Sequence, residues 1–214
     1  MEPNVRSYTE KKTGLSFISD QTFVDTGERK IILEKYKHEY QRQYSSLQSF
    51  PQGNRNCYKV KVAEAGAKYL IRAGFLYGDY DEQDMQPTFD LYVGNDMWDS
   101  VKITDSSNIV NKEIIHIPPQ SHVLVCLVNT GHGIPFISTL EFRPLDNSTY
   151  LTPGSPWHWP AGGTLVLPTD AGEHNHCKFS RLLSKWIDFR NIPPIMGLFV
   201  KILIRTRRTK QDLI

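Results

Sequence analysis

The stretch Cys57-Tyr58-Lys59-Val60-Lys61-Val62 (CYKVKV) decides the fold class. Tyr58, Val60 and Val62 alternate with Lys59 and Lys61, the period of two expected of a strand with one buried and one wet face. Eleven residues after its start comes KYLIRAGFLY, residues 68–77, more continuously apolar and therefore read as a central strand. Further strands are expected at 89–93 (FDLYV), 98–103, 113–117, 122–128 (HVLVCLV) and 136–142. Gly66, Gly78, Gly94, Gly131 and Gly133 fall between them, where a chain must turn. Short strands at intervals of roughly ten residues predict an all-β, antiparallel β-sandwich or barrel. One helix is expected, over 30–47, with Tyr36, Tyr40 and Tyr44 at i, i+4 and i+8 forming its apolar stripe.

The chain has 214 residues, 39% of them hydrophobic and 11% aromatic, with a formal net charge of +2. This is one domain, or a domain with a tail, and it is neither disordered nor collagen-like. So small a charge gives no general footprint for nucleic acid. The balance is an average of unlike parts: 16 basic and 19 acidic side chains up to residue 150, then 9 and 4, which makes −3 and +5. The texture changes at the same place. Residues 152–172, TPGSPWHWPAGGTLVLPTDAG, hold four prolines and four glycines, and no clean periodicity follows. A boundary near 150 is expected, with 1–150 as the sandwich and 151–214 as an irregular C-terminal tail. The tail ends in RTRRTK, residues 205–210, read as a solvated end.

No apolar run follows the polar first fourteen residues, so no export signal is visible, and the longest apolar stretch, 195–204, is interrupted by Lys201 and is too short for a bilayer span. Cys57, Cys126 and Cys177 allow at most one internal disulfide. Cys57 and Cys126 each read as buried core or as half of a bridge.

Enzyme signatures are absent: no phosphate-cradling glycine loop, no GxSxG elbow, no HExxH. No metal or cofactor is expected. His174, His176 and Cys177 are ligand types without a matching second pair. The acidic loop after the most apolar strand, with Asp79, Asp81, Glu82 and Asp84, lacks the central glycine and closing glutamate of an EF-hand. It does offer Tyr77 and Tyr80 beside Asp79 and Asp81, rings to stack on sugar C–H faces and carboxylates to accept hydroxyl protons. These four are the candidate carbohydrate-binding residues. The other reading of the loop is that one tyrosine packs inward and the acids are solvated.

Several unusual strings stand in order: SFPQGNRNCYKV (49–60), KYLIRAGFLYGDYD (68–81), PTFDLYVG (87–94), Trp98, EIIHIPP (113–119), VCLVNTGHGIPFISTLEFRPL (125–145) and Tyr150. Together they resemble the malectin-like ectodomain of plant leucine-rich-repeat receptor-like kinases, over nearly all of residues 8–150. The resemblance implies an extracellular, non-catalytic recognition module at the cell surface, a β-sandwich of jelly-roll type related to the animal lectin malectin. It implies a carbohydrate or peptide ligand, another receptor ectodomain as a further partner, and membrane attachment only through segments outside this chain. In the animal lectin, aromatic side chains on loops at one end of the sandwich hold a glucose disaccharide, and the matching strand-end tyrosine is Tyr77. The aromatic residue that follows it there is Gly78 here, a departure that counts against malectin-type sugar binding, and some plant members bind peptides or partner proteins through this surface instead. Asn147-Ser148-Thr149 is an N-glycan acceptor triplet on a loop.

Against the family pattern, a first strand with an Asp-Cys-Gly motif is missing before Tyr8, and the second malectin-like unit, repeats, membrane span and kinase expected past Tyr150 do not follow. The chain therefore reads as a fragment whose tail is aberrant. A sheet that has lost its outer strand has unpaired backbone groups, so marginal stability is expected unless the tail covers them.

Overall fold

A computed structural model describes residues 7–11 and 14–146 and the backbone of two short segments, 164–167 and 203–204. Its strands are β1 (Ser7–Thr9), β2 (Ser16–Ile18), β3 (Glu28–Ile31), β4 (Ser46–Ser49), β5 (Arg55–Lys61), β6 (Tyr69–Leu76), β7 (Thr88–Val93), β8 (Asp96–Lys102), β9 (Ile109–His116), β10 (His122–His132), β11 (Phe136–Ile137), β12 (Thr139–Pro144), β13 (Thr164–Leu167) and β14 (Leu203–Ile204). Two sheets carry the fold, β5-β10-β7-β8 and β13-β9-β6-β12-β14, with a smaller sheet β11-β4-β3 and the hairpin β1-β2 beside them. The expected antiparallel sandwich is present.

Alternation builds its core. Tyr58 and Val60 of β5, Phe89 and Leu91 of β7 and Val125 and Leu127 of β10 face inward, and all are fully buried. Opposite them lie Ile71, Ala73 and Phe75 of β6, Ile114 of β9 and Leu140 and Phe142 of β12, in the same apolar cluster. The central strand β6 carries an arginine in its apolar run, and the register shows why: Arg72 stands directly opposite Glu113 of β9 and Glu141 of β12. Its guanidinium pairs with Glu113 and lies 3.8 Å from Glu141, and Glu141 in turn holds Arg143. Directly opposed unlike charges are the favourable cross-strand arrangement.

Gly74, in the middle of β6, has an equally local cause. A Cβ there would lie 2.4 Å from the Thr139 hydroxyl and 2.9 Å from that of Tyr44. The vacancy admits the Tyr44 hydroxyl, which donates to Asn111 Oδ1 at 3.2 Å. Burial pushes that phenol up to about 12.

This contact helps to correct the helix expected over 30–47. The segment instead contains the end of β3, a single α-helical turn α1 (Glu34–Lys37), a 3-10 turn at Arg42–Tyr44 and the start of β4. The three tyrosines share no stripe. Tyr36 lies beside the Lys35 ammonium, Tyr40 donates to the Ser107 carbonyl and Tyr44 reaches over β6. Leu33 precedes the turn without a side-chain cap, and a short uncapped helix cannot offset its nucleation cost against the two tertiary contacts of Tyr40 and Tyr44.

The cysteine alternatives resolve into a bridge between Cys57 and Cys126, residues paired directly across β5 and β10. The Lys59 amide points away from β10, to the Phe23 carbonyl at 2.9 Å, so the odd residues of β5 form the close, non-hydrogen-bonded pairs. The Cα separation at the bridge, 4.0 Å, belongs to such a pair.

Of the residues past 150, β13 runs antiparallel to β9 and β14 parallel to β12, so β9 and β12 each have a strand on both sides. Asn147, Tyr150, the His174–Cys177 cluster and the basic end lie outside the described residues. Among the described residues no helix is long and apolar enough to cross a membrane.

The disulfide generates a prediction. It closes a loop across a sequence separation of 69, for which the chain-entropy model gives about 4 kcal/mol. Urea titration of the oxidised protein against a Cys57→Ser/Cys126→Ser double variant should show a loss of about 2–4 kcal/mol. Coincident midpoints would refute a stabilising bridge.

Candidate functional site

The loops 33–45, 77–87, 103–108 and 133–135 join strand ends on one side of the sandwich. At their centre β6 runs out into Tyr77, which is fully buried. Its ring lies 5.9 Å from that of Phe136 and edge-on to Tyr80 at 5.3 Å. Its hydroxyl donates to Asp81 Oδ1 and accepts the Met85 amide at 3.3 Å. Burial, then the hydrogen bond to Asp81, raises the phenol above its usual range. Tyr80 is half-buried, 5.6 Å from Phe136, with its hydroxyl 3.1 Å from Ser49 Oγ. Burial pushes its phenol up to about 12, so both tyrosines stay neutral donors at physiological pH.

The loop that follows is wound tightly. Asp79, Glu82 and Asp84 all adopt positive φ, at 48°, 57° and 46°. Left-handed conformations are costly for side chains with a Cβ, and aspartate bears them better than most. Internal hydrogen bonds hold the turn: Asp79 Oδ1 accepts the Asp84 amide at 2.9 Å and Asp81 Oδ1 accepts the Gln83 amide at 3.4 Å. Asp84 Oδ1 accepts from the Ser106 hydroxyl at 3.2 Å and from the Gln86 side-chain amide at 3.0 Å.

Backbone bonds stitch the neighbouring loops together through Gly78. Its amide donates to the Ser106 carbonyl at 2.9 Å and its carbonyl accepts the Leu33 amide at 3.0 Å. On the adjacent loop the Asp105 carboxyl, held below its ordinary range by the Ser107 hydroxyl and then its amide, is exposed.

Of the four residues expected to hold carbohydrate, the fold brings all together but not in equivalent roles. Tyr77 presents no ring face to solvent. Asp79 and Asp81 are half-buried, with part of their acceptor capacity used within the loop, and Tyr80 keeps a partly exposed ring. Phe136, Ser49 and Ser106 come to the site from distant parts of the chain. In the sequence Phe136 falls in an expected strand, and nothing ties it, Ser49 or Ser106 to residue 77. Gly78, by contrast, is marked by sequence, and the structure supplies the reason: a Cβ there would lie 2.5 Å from Cβ and Cγ2 of Ile32, at φ +53°. No larger residue fits. Among the described residues no three His, Cys, Asp or Glu side chains converge as metal ligands.

A malectin-like domain family model matches residues 1–159. Among curated proteins, the chain is 46% identical over 154 residues to the probable LRR receptor-like serine/threonine-protein kinase At1g05700 of Arabidopsis thaliana, an alignment covering 71% of this chain and 18% of that protein. It is 43% identical over 172 residues to the putative leucine-rich repeat receptor-like protein kinase At2g19210 of the same plant, covering 78% and 20%. The chain thus spans about a fifth of the length of these relatives. Among solved structures, the ANX1 ectodomain of Arabidopsis thaliana is similar with a TM-score of 0.53 at 12% identity, covering 66% of this chain and 39% of that one. The plant receptor-like kinase FER gives 0.51 at 14%, covering 64% and 39%. At such identities the likeness concerns the fold.

Two left-handed glycines separate backbone strain from packing. Gly66, at φ +81°, has open space where its Cβ would be, so Gly66→Ala should cost about 1 kcal/mol. Gly78→Ala adds the Ile32 clash and should cost about 2–4 kcal/mol by urea titration. Equal losses in the two variants would show that the Gly78 contact carries no weight.

Proposed function

This chain belongs to the malectin-like domain family, and from that premise we propose that it serves as the extracellular recognition module of a receptor-like kinase, with its ligand taken at the loop end around Tyr80. The malectin-like ectodomain fold is a non-catalytic recognition module. The curated relatives are receptor-like kinases, which supports display at the cell surface, and the disulfide fits an oxidising compartment. Catalysis by a kinase is no part of this reading.

One observation directs the choice of ligand. The stitched loops 77–87 and 103–108 carry Asp79, Asp81, Glu82, Asp84 and Asp105 and contain no lysine, arginine or histidine. These two loops thus offer acceptors with no cation of their own, although Lys35, Lys37 and Arg42 stand on the adjoining loop 33–45, and such a local acidic patch suits a peptide presenting lysine or arginine. A second reading, a carbohydrate, is supported by the partly exposed Tyr80 ring beside the Asp79 and Asp81 carboxylates. With Tyr77 buried, Tyr80 is the one ring of the acidic loop placed to stack, so the peptide is preferred. In both readings Tyr77 is a positioning residue that fixes Asp81. Another receptor ectodomain at the same end is a compatible partner.

The test titrates the immobilised protein with lysine- and arginine-bearing peptides, with glutamate-bearing controls and with a glycan array. The expected result is binding of cationic peptides that weakens with salt and falls about tenfold in Asp79→Asn/Glu82→Gln. Selective glycan binding abolished by Tyr80→Ala would replace the peptide with a sugar. No binding of either class at millimolar concentration would overturn recognition by this end.

A further inference from the structure

The sheet β5-β10-β7-β8 turns one face to the core and the other away from it. On the outward face, register sets Lys59 beside Leu124 and lines up Cys57, Cys126, Tyr92 and Met97 across the four strands. Leu124 and Met97 are 36% and 54% exposed and Tyr92 is half-buried, so the middle of the face is apolar. Arg55 reaches from β5 over β10 to β7, where its guanidinium lies 4.8 Å from the Tyr92 ring centre and donates to the Gly94 carbonyl at 2.6 Å. Lys59 and Lys61 stand exposed along the same side of β5 and form no ion pair among the described residues. Of the acids on these strands, Asp96 and Asp99 stand opposite the inward Val93 and Leu91, and Asp90 accepts from Ser100 Oγ at 2.5 Å. The uncompensated charge of the face is therefore positive.

The loop end has the same plan with the opposite sign. Met85, 64% exposed, sits in a loop with the exposed Glu82 and Asp84, beside the exposed Asp105. The cations of the adjoining loop 33–45 are engaged locally: Lys37 pairs with Glu34, Lys35 lies 4.8 Å from the Tyr36 ring and Arg42 lies 4.6 Å from that of Tyr8. Four large apolar side chains are exposed among the described residues, and three of them, Met85, Met97 and Leu124, fall on these two surfaces. An apolar centre within a charged rim, matched by one of opposite charge, is the composition of a specific interface. The two cannot meet within one molecule. The backbone bonds of Gly78 stitch the loops to the end of the sandwich, and Lys61 lies six residues along β5 from Arg55, about 20 Å further from that end.

We propose that a second copy of this chain docks its acidic loop 77–87, with Met85 at the centre, on the outward face of the sheet β5-β10-β7-β8. The inference rests on the reading of the loop end as a recognition surface for cations, with Lys59 and Lys61 of the neighbour in the place of the peptide. The Cys57–Cys126 bridge fixes the register that holds Lys59 beside Leu124. Each copy has one loop end and one such face, so the contact is heterologous, copies join head to tail, and a cationic peptide competes with the neighbour for the loops.

Sedimentation velocity on the whole chain tests this. At low salt the wild type should associate as its concentration rises toward about 100 μM, and about 1 M salt, with a Debye length of about 3 Å, should weaken association about tenfold or more. Lys59→Glu/Lys61→Glu and Glu82→Lys/Met85→Ser, all at exposed positions, should each be monomeric alone while unfolding cooperatively in urea. Mixed, they should form a 1:1 pair and nothing longer, because the first keeps an intact loop and the second an intact face. A cationic peptide should bind the Lys59→Glu/Lys61→Glu monomer and disperse the wild-type rows. A wild type that associates while this monomer takes no peptide would support the neighbour and remove the peptide. A wild type that stays monomeric at low salt, association retained in either variant, or folded variants that fail to pair would each overturn the proposal.

Discussion

The ring of Phe136 is the contact on which the rest depends. It lies 6.1 Å from Phe75 of β6 and 5.9 Å from Phe89 of β7, which places it between the two sheets, and 5.9 Å from Tyr77 and 5.6 Å from Tyr80, which places it under the acidic loop. One side chain thus joins sandwich to site. Its edge-on and tilted contacts are the geometries in which aromatic pairs contribute beyond the area they bury. β11, which holds it, pairs with Ser49 of β4, and Ser49 in turn meets the Tyr80 hydroxyl. Removing the ring would unpin the loop and hollow the core together, so loop geometry and domain stability cannot vary independently here.

That coupling explains how a loop with three non-glycine residues at positive φ holds its shape. Each such residue costs of the order of 1 kcal/mol or more. The compensation is visible in the Asp79 and Asp81 carboxylates, which accept amides of their own turn, and in Gly78, whose two backbone bonds reach loops on either side. A loop so wound meets a ligand already ordered, and a binding site ordered beforehand loses less entropy on association.

The sandwich and its strands were legible because alternation is a local signal: Tyr58, Val60 and Val62 declare their face within six residues. Arg72 passed unremarked in a strand read as continuously apolar, because its partners Glu113 and Glu141 come from strands far along the chain and are found only through register. The helix over 30–47 fails for the same reason. Spacing of four fits Tyr36, Tyr40 and Tyr44, yet the hydroxyl partners of Tyr40 and Tyr44 are tertiary, and a local period cannot show them. At the site, the strings carried the family and the departure at Gly78, whereas the burial of Tyr77 depends on Phe136, nearly sixty residues away.

Three separate devices bind the sheets of this domain at their margins: a cross-strand disulfide on β5 and β10, short strands on the outer edges of the larger sheet, and the segment 19–27 along β5. Two of the three act on β5, the strand that bears Tyr58. That concentration has a physical reason. β5 has a partner on one side only, its outward face carries Lys59 and Lys61, and its inward face carries the fully buried Tyr58 ring, so any fraying would drag an aromatic residue out of the core. Charged side chains discourage a foreign strand from adding to that edge, the disulfide fixes its register, and the crossing segment occupies its amide. The acidic loops 77–87 and 103–108, by contrast, are held among the described residues by hydrogen bonds and ring contacts. Covalent closure thus falls on the edge strand, while the acidic loops are positioned by side chains that a ligand can still reach.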